Sequence, residues 1–197
     1  MYGELMSRIG KKPVSVPAGV KVEISGRIVK VNGPKGSLEI KCRPEVKVKL
    51  DGQKVIVESL DSETRIGKAM HGTTRALINN MVIGVTNGYE KKLEVYGTGY
   101  NVKEQGGILT LQVGFSHPVE MKVPKSVKVK VEVPATKGND TPAKFTLMGY
   151  DKHELGQFAA NVRKARPPEP YQGKGIRFAD EHVRRKVGKA LVGATTT

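Results

Sequence analysis

Residues 20–40 read VKVEISGRIVKVNGPKGSLEI and set a pattern that the rest of the chain repeats. Apolar side chains occupy alternate positions at Val20, Val22 and Ile24, and the alternation resumes after the glycine at position 26. This period of two is typical of strands with one buried and one wet face. The Gly-Pro-Lys-Gly run at 33–36 predicts a turn between two such strands. The stretch therefore predicts a mainly antiparallel sheet.

The alternation continues to residue 57, and then the period changes to that of a helix. The segment 46–50 alternates again, and Asp51-Gly52 predicts a tight hairpin. Asp61 or Ser62 is the predicted N-cap of the helix, and Gly84 suits its end. The predicted apolar stripe of this helix comprises Ile66, Met70, Leu77 and Met81. A sheet followed by one packed helix is a two-layer α/β module.

The module recurs in the second half of the chain. A shift of 71 positions superposes residues 22–40 on 93–111, and the matched pairs include Val22 with Leu93, Ile24 with Val95, Val31 with Val102, Gly36 with Gly107 and Leu38 with Leu109. A second helix is predicted near 151–166, since Asp151-Lys152-His153-Glu154 resembles a capping box and Pro167 stops the helix. Gly67 and Gly156 occupy similar points of the two predicted helices.

We therefore predict an α+β protein in which a two-layer α/β module is duplicated, each copy being a mainly antiparallel sheet with one packed helix. The helices are expected near 62–82 and 151–166. The predicted organisation is a basic N-terminal arm over 1–18, a first module over 19–83, a second module over 84–180 and a basic tail over 181–197. An arm of this kind is often disordered alone. The second copy should have a longer loop around 115–124, and its 134–142 connection offers no tight hairpin.

Composition favours a polyanionic partner. The chain of 197 residues has 34 Lys and Arg against 19 Asp and Glu, a formal charge of +15 and a pI near 9.9. Such an excess creates a broad positive potential. Cys42 is the only cysteine, which excludes an internal disulfide and fits a reducing compartment. No apolar run has the roughly 20 residues of a membrane span, and the start lacks the features of an export signal.

No constellation of residues indicates catalysis, a metal or a cofactor. The four histidines have no partners at metal-ligand spacing, and a solvated or capping role is predicted for His71 and His153. The glycines at 97–99 and 106–107 are followed by predicted strands, so a dinucleotide loop is not indicated. The chain is therefore not expected to be an enzyme.

The stretch from Arg166 to Phe178, RPPEPYQGKGIRF, is the candidate binding segment. Three prolines in four positions exclude a helix and predict an extended path. Glycines on both sides of Lys174 leave the backbone open to an anionic group, and Tyr171 offers a flat ring. Residues 163–189 carry nine cations against three acids. The predicted RNA-binding residues are Arg163, Lys164, Arg166, Tyr171, Gly173, Lys174, Gly175, Arg177, Arg184, Arg185 and Lys186.

Simpler roles exist for some of these cations. The stretch can be a solvated basic loop, and Arg163, Lys164 and Arg166 would favour the negative end of the helix dipole in any case. Lysines that alternate with valine at 46–49 and 127–130 are more typical of a wet sheet face, so they are not assigned as contacts.

Several motifs in order resemble those of the large-subunit ribosomal protein six family, bacterial type. They are the opening Met6-Ser7-Arg8-Ile9-Gly10-Lys11-Lys12-Pro13-Val14, the run 33–36, Thr64-Arg65-Ile66-Gly67 through Asn79-Asn80-Met81, and the Pro-Glu-Pro-Tyr-x-Gly-Lys-Gly run at 168–175. The similarity extends from Met6 to about Val183. It implies a structural constituent of the large ribosomal subunit, in the cytoplasm, with neighbouring ribosomal proteins as further partners.

The resemblance also implies a location on the large-subunit rRNA, near the sarcin–ricin loop and the docking region of translational GTPases. No membrane, small-molecule substrate or homo-oligomer is expected. The alternative from another class is a basic scaffold or adaptor that binds an acidic protein. Binding to duplex DNA is a third reading, although no recognition helix with base-reading residues stands out.

Overall fold

A computed structural model describes residues 7–61, 64–136 and 141–188. The elements in chain order are β1 (Val14–Ser15), β2 (Lys21–Ser25), β3 (Ile28–Gly33), β4 (Gly36–Lys41), β5 (Val46–Asp51), β6 (Lys54–Ser59), α1 (Arg65–Thr86), β7 (Tyr89–Tyr96), β8 (Asn101–Gln105), β9 (Ile108–Gln112), β10 (Val119–Lys122), β11 (Val127–Val133), β12 (Ala143–Gly149), α2 (Lys152–Ala165) and β13 (Gly175–Phe178). Two compact units form, one from the chain up to Tyr89 with residues 149–153, the other from 90–148 with residues 154 onward. Neither helix is apolar enough over a sufficient length to span a bilayer.

The first unit contains two three-stranded antiparallel sheets, β1-β6-β5 and β2-β3-β4, where a single sheet was expected. Helix α1 contacts strands of both sheets, and the shared core is aliphatic, with Val29, Val31 and Val55 fully buried. Val14 and Ser15 of the predicted arm form β1, which pairs with β6. Cys42 is buried directly after β4, and burial raises the pKa of its thiol.

The predicted turn at 33–36 is confirmed and reaches the end of α1. Gly33 pairs with Gly36 across a two-residue loop. The Lys35 amide donates to Val85 O at 3.1 Å, and its ammonium donates to Asn87 O. The last carbonyls of a helix lack partners within the helix and carry partial negative charge. Lys35 therefore caps a helix whose own last turn has no basic residue.

Helix α1 begins and ends later than the sequence predicts. The N-cap is Thr64, whose hydroxyl accepts from the Gly67 amide at 3.1 Å, so Asp61 is not the cap; Ser62 lies outside the described residues. The helix continues through Gly84 to Thr86. Glycine is required at position 84 of the helix for a steric reason, because a Cβ there would lie 2.1 Å from the Tyr150 carbonyl oxygen.

The buried face of α1 is rotated by one position from the predicted stripe. Ile66 and Leu77 are 58% and 40% exposed, and the face on the core comprises Gly67, His71, Thr74, Ile78, Met81, Val82, Gly84 and Val85. The solvated or capping role predicted for His71 is wrong, since the residue is 2% exposed and hydrogen-bonded to strand β6. Its Nε2 lies 2.9 Å from Val57 O, a hydrogen bond that lets a polar ring occupy the core.

The second unit has a three-stranded sheet, β10-β9-β8, and a four-stranded sheet, β11-β12-β7-β13. The buried face of α2 comprises Leu155, Phe158, Ala159 and Val162. The capping box is incomplete: Asp151 Oδ1 accepts from the His153 amide at 2.8 Å, but the Glu154 carboxylate accepts from the Ser126 hydroxyl instead. Strand β13 was not predicted, and residues 137–140 of the 134–142 connection lie outside the described residues.

The duplication is confirmed, although the predicted shift of 71 positions is wrong. Lys21 pairs with Asn32 in the β2–β3 hairpin, and Asn101 pairs with Gln112 in the β8–β9 hairpin, so equivalent residues are 80 positions apart. Both hairpins have two-residue loops that begin with a glycine of positive φ, at 26 and 106. A shift of 71 superposes β2 on β7. Strand β7 belongs to the four-stranded sheet, whereas the strand equivalent to β2 is β8 in the three-stranded sheet. Because successive strands from β2 to β6 begin 7 to 10 residues apart, alternation alone cannot distinguish a shift by one strand.

Candidate nucleic-acid interface

The segment after α2 is a closed loop. We call residues 166–174 the C-terminal loop and residues 181–188 the C-terminal tail. The Ile176 amide donates to Arg166 O at 2.7 Å and the Glu169 amide donates to Lys174 O at 2.9 Å, so both ends of the loop are joined by backbone bonds. The chain turns at residues 170–172. The extended path predicted for the whole stretch is therefore wrong: the prolines exclude a helix but permit a turn.

Strand β13 anchors the C-terminal loop to the sheet. It pairs antiparallel with β7, with Gly175 opposite Tyr96 and Phe178 opposite Leu93. Gly175 has φ +136°, and a Cβ on it would lie 2.6 Å from Pro167 O. The close approach that this glycine permits is thus to the proline backbone of the same loop. At Gly173 the nearest atoms belong to the Arg185 guanidinium, 3.1 Å from an added Cβ.

Three of the predicted contact residues use their guanidinium groups within the second unit. Arg163 forms a two-point ion pair with Glu181, with Nε 2.7 Å from Oε2. Arg177 lies 3.9 Å from the Tyr96 ring centroid and 3.4 Å from Glu94 Oε2. The Arg166 guanidinium carbon lies 5.0 Å from the Phe115 ring centroid. These groups hold neighbouring segments together.

The remaining predicted cations are free to meet a ligand. Within residues 7–61, 64–136 and 141–188, no carboxylate forms an ion pair with Lys164, Lys174, Arg184, Arg185 or Lys186. All of these cations except the half-buried Lys174 are exposed, and Tyr171 at the turn is 58% exposed. The Lys186 amide donates to Pro170 O at 2.7 Å, which fixes the tail beside the loop. The structure therefore brings loop and tail cations together on one fixed backbone.

The Arg163–Glu181 pair makes the stability of the second unit depend on pH. The Arg163 hydrogen bond, offset in part by burial and aided by the Phe178 amide, lowers the pKa of Glu181 below its ordinary 4.5. A carboxyl whose pKa is lowered on folding contributes stability above its unfolded pKa and loses it as the pH falls through the folded value.

We expect Glu181→Gln to lower the melting temperature at neutral pH, by up to a few degrees for a partly exposed pair. The difference from wild type should disappear in acid, where Glu181 is protonated in both states. The measurement is thermal unfolding as a function of pH, with Glu120→Gln as a control on an exposed carboxylate of the same unit. A difference that persists unchanged at the lowest pH would contradict the assignment.

The family model for ribosomal protein L6 matches this chain twice, at residues 16–88 and 96–179. The two matches begin 80 positions apart, as the two hairpins do. The large ribosomal subunit protein uL6 of Listeria monocytogenes serotype 4a is 50% identical over 184 residues, which cover 93% of this chain and 98% of that protein.

Two further relatives show the same extent of similarity. The uL6 proteins of Protochlamydia amoebophila and Carboxydothermus hydrogenoformans are 51% and 50% identical, and the alignments cover 94% and 93% of this chain and 98% and 96% of those proteins. One family model thus matches both copies of the module, and relatives that are about half identical to this chain align with nearly all of its sequence. The chain belongs to the ribosomal protein L6 family.

Proposed function

We propose that this protein is a structural constituent of the large ribosomal subunit and binds large-subunit rRNA through the C-terminal loop and tail of its second unit. Membership of the L6 family and the large-subunit names of its relatives support the assembly. The resemblance of its motifs to the bacterial family supports a location near the sarcin–ricin loop, where translational GTPases dock. The role is architectural and requires no chemistry from the protein.

One observation carries the assignment of the surface. Lys164 near the end of α2, Lys174 of the C-terminal loop and the three cations of the C-terminal tail form no ion pair with the described residues. Arg163 and Arg177, in contrast, pair with Glu181 and Glu94. Cations held apart from carboxylates on a fixed backbone suit a ligand that brings its own negative charge. Phosphates along an rRNA backbone meet this requirement.

The predicted site residues then divide into two groups. Lys164, Lys174, Arg184, Arg185 and Lys186 contact phosphates, and Tyr171 packs on a base or ribose at the turn. The others hold the surface in shape: Arg163 ties the helix end to Glu181, Arg166 and Arg177 lie on aromatic rings, and Gly173 and Gly175 admit the neighbouring arginine and prolines.

The direct test is a triple variant, Arg184→Ala, Arg185→Ala and Lys186→Ala. We expect it to bind a cognate large-subunit rRNA fragment at least tenfold more weakly at moderate salt, because a cation that no longer neutralises a phosphate no longer releases that phosphate's counterions. The slope of log affinity against log salt should become shallower by roughly 2–3. The matched control removes three exposed lysines elsewhere in the second unit, Lys125, Lys128 and Lys130, and should retain most of the affinity.

Equal decreases of affinity in the two triple variants would contradict the proposed surface, since they would show a nonspecific charge effect. Chemical footprinting of rRNA in reconstituted subunits tests the finer location, with protection expected beside the sarcin–ricin loop. If the protein instead forms complexes that survive ribonuclease and lacks any rRNA footprint, it is an adaptor for an acidic protein and the proposal fails.

A further inference from the structure

The loop between β9 and β10, residues 113–118, lies outside the surface assigned above. Its sequence is Val-Gly-Phe-Ser-His-Pro, and Val113 at its base is fully buried. The five residues after Val113 are exposed. A Cβ on Gly114 would lie 2.8 Å from the hydroxyl oxygen of Tyr100, whose ring is itself buried. The base of the loop is therefore fixed on the core of the second unit while its rings face solvent.

Two rings of this loop and one guanidinium of the C-terminal loop lie close together. We call these groups, Phe115, His117 and Arg166, the aromatic platform. The Phe115 and His117 ring centroids are 6.3 Å apart with an interplanar angle of 22°. The Arg166 guanidinium carbon lies 5.0 Å from the Phe115 centroid. Arg166 is held in place because its carbonyl accepts from the Ile176 amide at 2.7 Å. Phe115 remains 43% exposed, so its ring is open to a further planar group.

The surroundings indicate what that group is. The loop residues beside the rings are glycine, serine and proline, so they offer no apolar patch for a protein side chain. A guanidinium adds positive charge beside the exposed ring. Unpaired nucleobases stack on aromatic side chains and on arginine planes while their phosphates meet cations nearby. An aromatic ring combined with arginine thus fits RNA better than it fits a hydrophobic protein surface.

We propose that the aromatic platform stacks an unpaired base of large-subunit rRNA, an inference that rests on the rRNA binding proposed above. This contact differs in kind from the phosphate contacts of the loop and tail. Stacking releases no counterions, so its removal lowers the affinity without changing the salt dependence. It also requires a base that is free of its pairing partner.

The protein has no tryptophan, so Phe115→Trp introduces a single fluorescent reporter on the platform. We expect its emission to be quenched by a large-subunit rRNA fragment that binds wild type, and to change little with the same fragment annealed to its complement. Ile108→Trp is the matched control, since Ile108 is 37% exposed on β9 of the same unit and should give no quenching. Phe115→Leu should weaken binding of the fragment about tenfold with an unchanged salt slope, whereas Ile108→Leu should not.

The outcomes separate this inference from the proposed function. If wild type binds the fragment and the tail variant binds weakly, but Phe115→Leu binds normally and the Phe115→Trp emission is constant, the platform proposal is wrong while the rRNA surface stands. A decrease of affinity that only accompanies a lower melting temperature would also overturn it. If Phe115→Leu keeps its rRNA affinity but subunits reconstituted with it lack a neighbouring ribosomal protein, Phe115 is a protein contact and the platform proposal is wrong. If wild type binds no large-subunit rRNA, both proposals fail.

Discussion

Gly175→Val is expected to lower the melting temperature of the second unit by roughly 5–10 °C and to weaken rRNA binding as well. The residue has φ +136°, and its Cβ position lies 2.6 Å from Pro167 O and 2.7 Å from the Pro168 Cα. Positive φ costs a β-branched residue on the order of 1–3 kcal/mol, and overpacking against backbone costs a similar amount. At a few degrees per kcal/mol for a chain of this size, the two terms give the expected shift.

Two control variants separate the steric effect of Gly175→Val from a conformational cost alone and from the loss of charge in the C-terminal loop. Gly99→Val also places a valine at positive φ in the second unit, but no atom of the described residues lies within 4 Å of the added Cβ, so only the conformational cost should appear. Lys174→Ala, one residue before Gly175, should weaken rRNA binding with little change in melting temperature. The measurements are thermal unfolding and rRNA-fragment affinity on the same preparations. A Gly175→Val protein as stable as wild type would show that the loop tolerates displacement of its prolines.

Alanine substitutions at Gly67 and Gly156 are expected to act in opposite directions. A Cβ on Gly67 would lie 1.8 Å from the Asp61 carbonyl oxygen, so either Asp61 or the start of α1 must move. Overpacking of this kind costs about 1–3 kcal/mol, and the movement also disturbs the cap bond from the Gly67 amide to Thr64. Gly156 is exposed within α2 with open space at its Cβ position, so alanine there should stabilise by about 0.5–1 kcal/mol.

Denaturant unfolding of both variants measures the contrast directly as a change in the free energy of unfolding. Alanine gains helix propensity at both sites, so a destabilised Gly67→Ala protein reports the contact with Asp61 and the disturbed cap bond at Thr64. The two glycines were expected to be equivalent between the copies, yet Gly67 is the third residue of α1 and Gly156 the fifth of α2. Equal stabilisation at both sites would refute the close approach to Asp61.

Sequence patterns predicted the classes of the elements better than their registration. Most strands, both helices and the duplication follow from period, turns and proline, which act locally. Strands β1 and β13 were not predicted, and β10 lies where a longer loop was expected around 115–124. The shift between the copies was wrong because alternation repeats with every strand, and β13, the pairing partner that distinguishes β7 from β2, is distant from β7 in sequence. The burial of His71 depends on the carbonyl of Val57 in another element, which a helical pattern cannot reveal.

At the candidate site, too, local features were predictable from the sequence and contacts between distant residues were not. The cluster of cations after α2 was visible in the sequence, because charge is additive along the chain. Which cations are used internally was not visible, since Glu181 and Tyr96 reach Arg163 and Arg177 only through the fold. Phe115 was seen only as part of a longer loop for the same reason: Arg166, which lies over its ring, is 51 positions further along the chain.

The pairing of β13 with β7 determines when the second unit can complete its fold during synthesis. Tyr96 leaves the translating ribosome about eighty residues before its partner Gly175, a delay on the order of 4–16 s at typical elongation rates. In the first unit, β1 meets β6 after only about forty residues, with Val14 opposite Val55. Until β13 emerges, β7 has a free edge and the residues that close the C-terminal loop have no anchor. A nascent chain thus acquires this basic surface only after Gly175 has emerged, later than the pairing of β1 with β6.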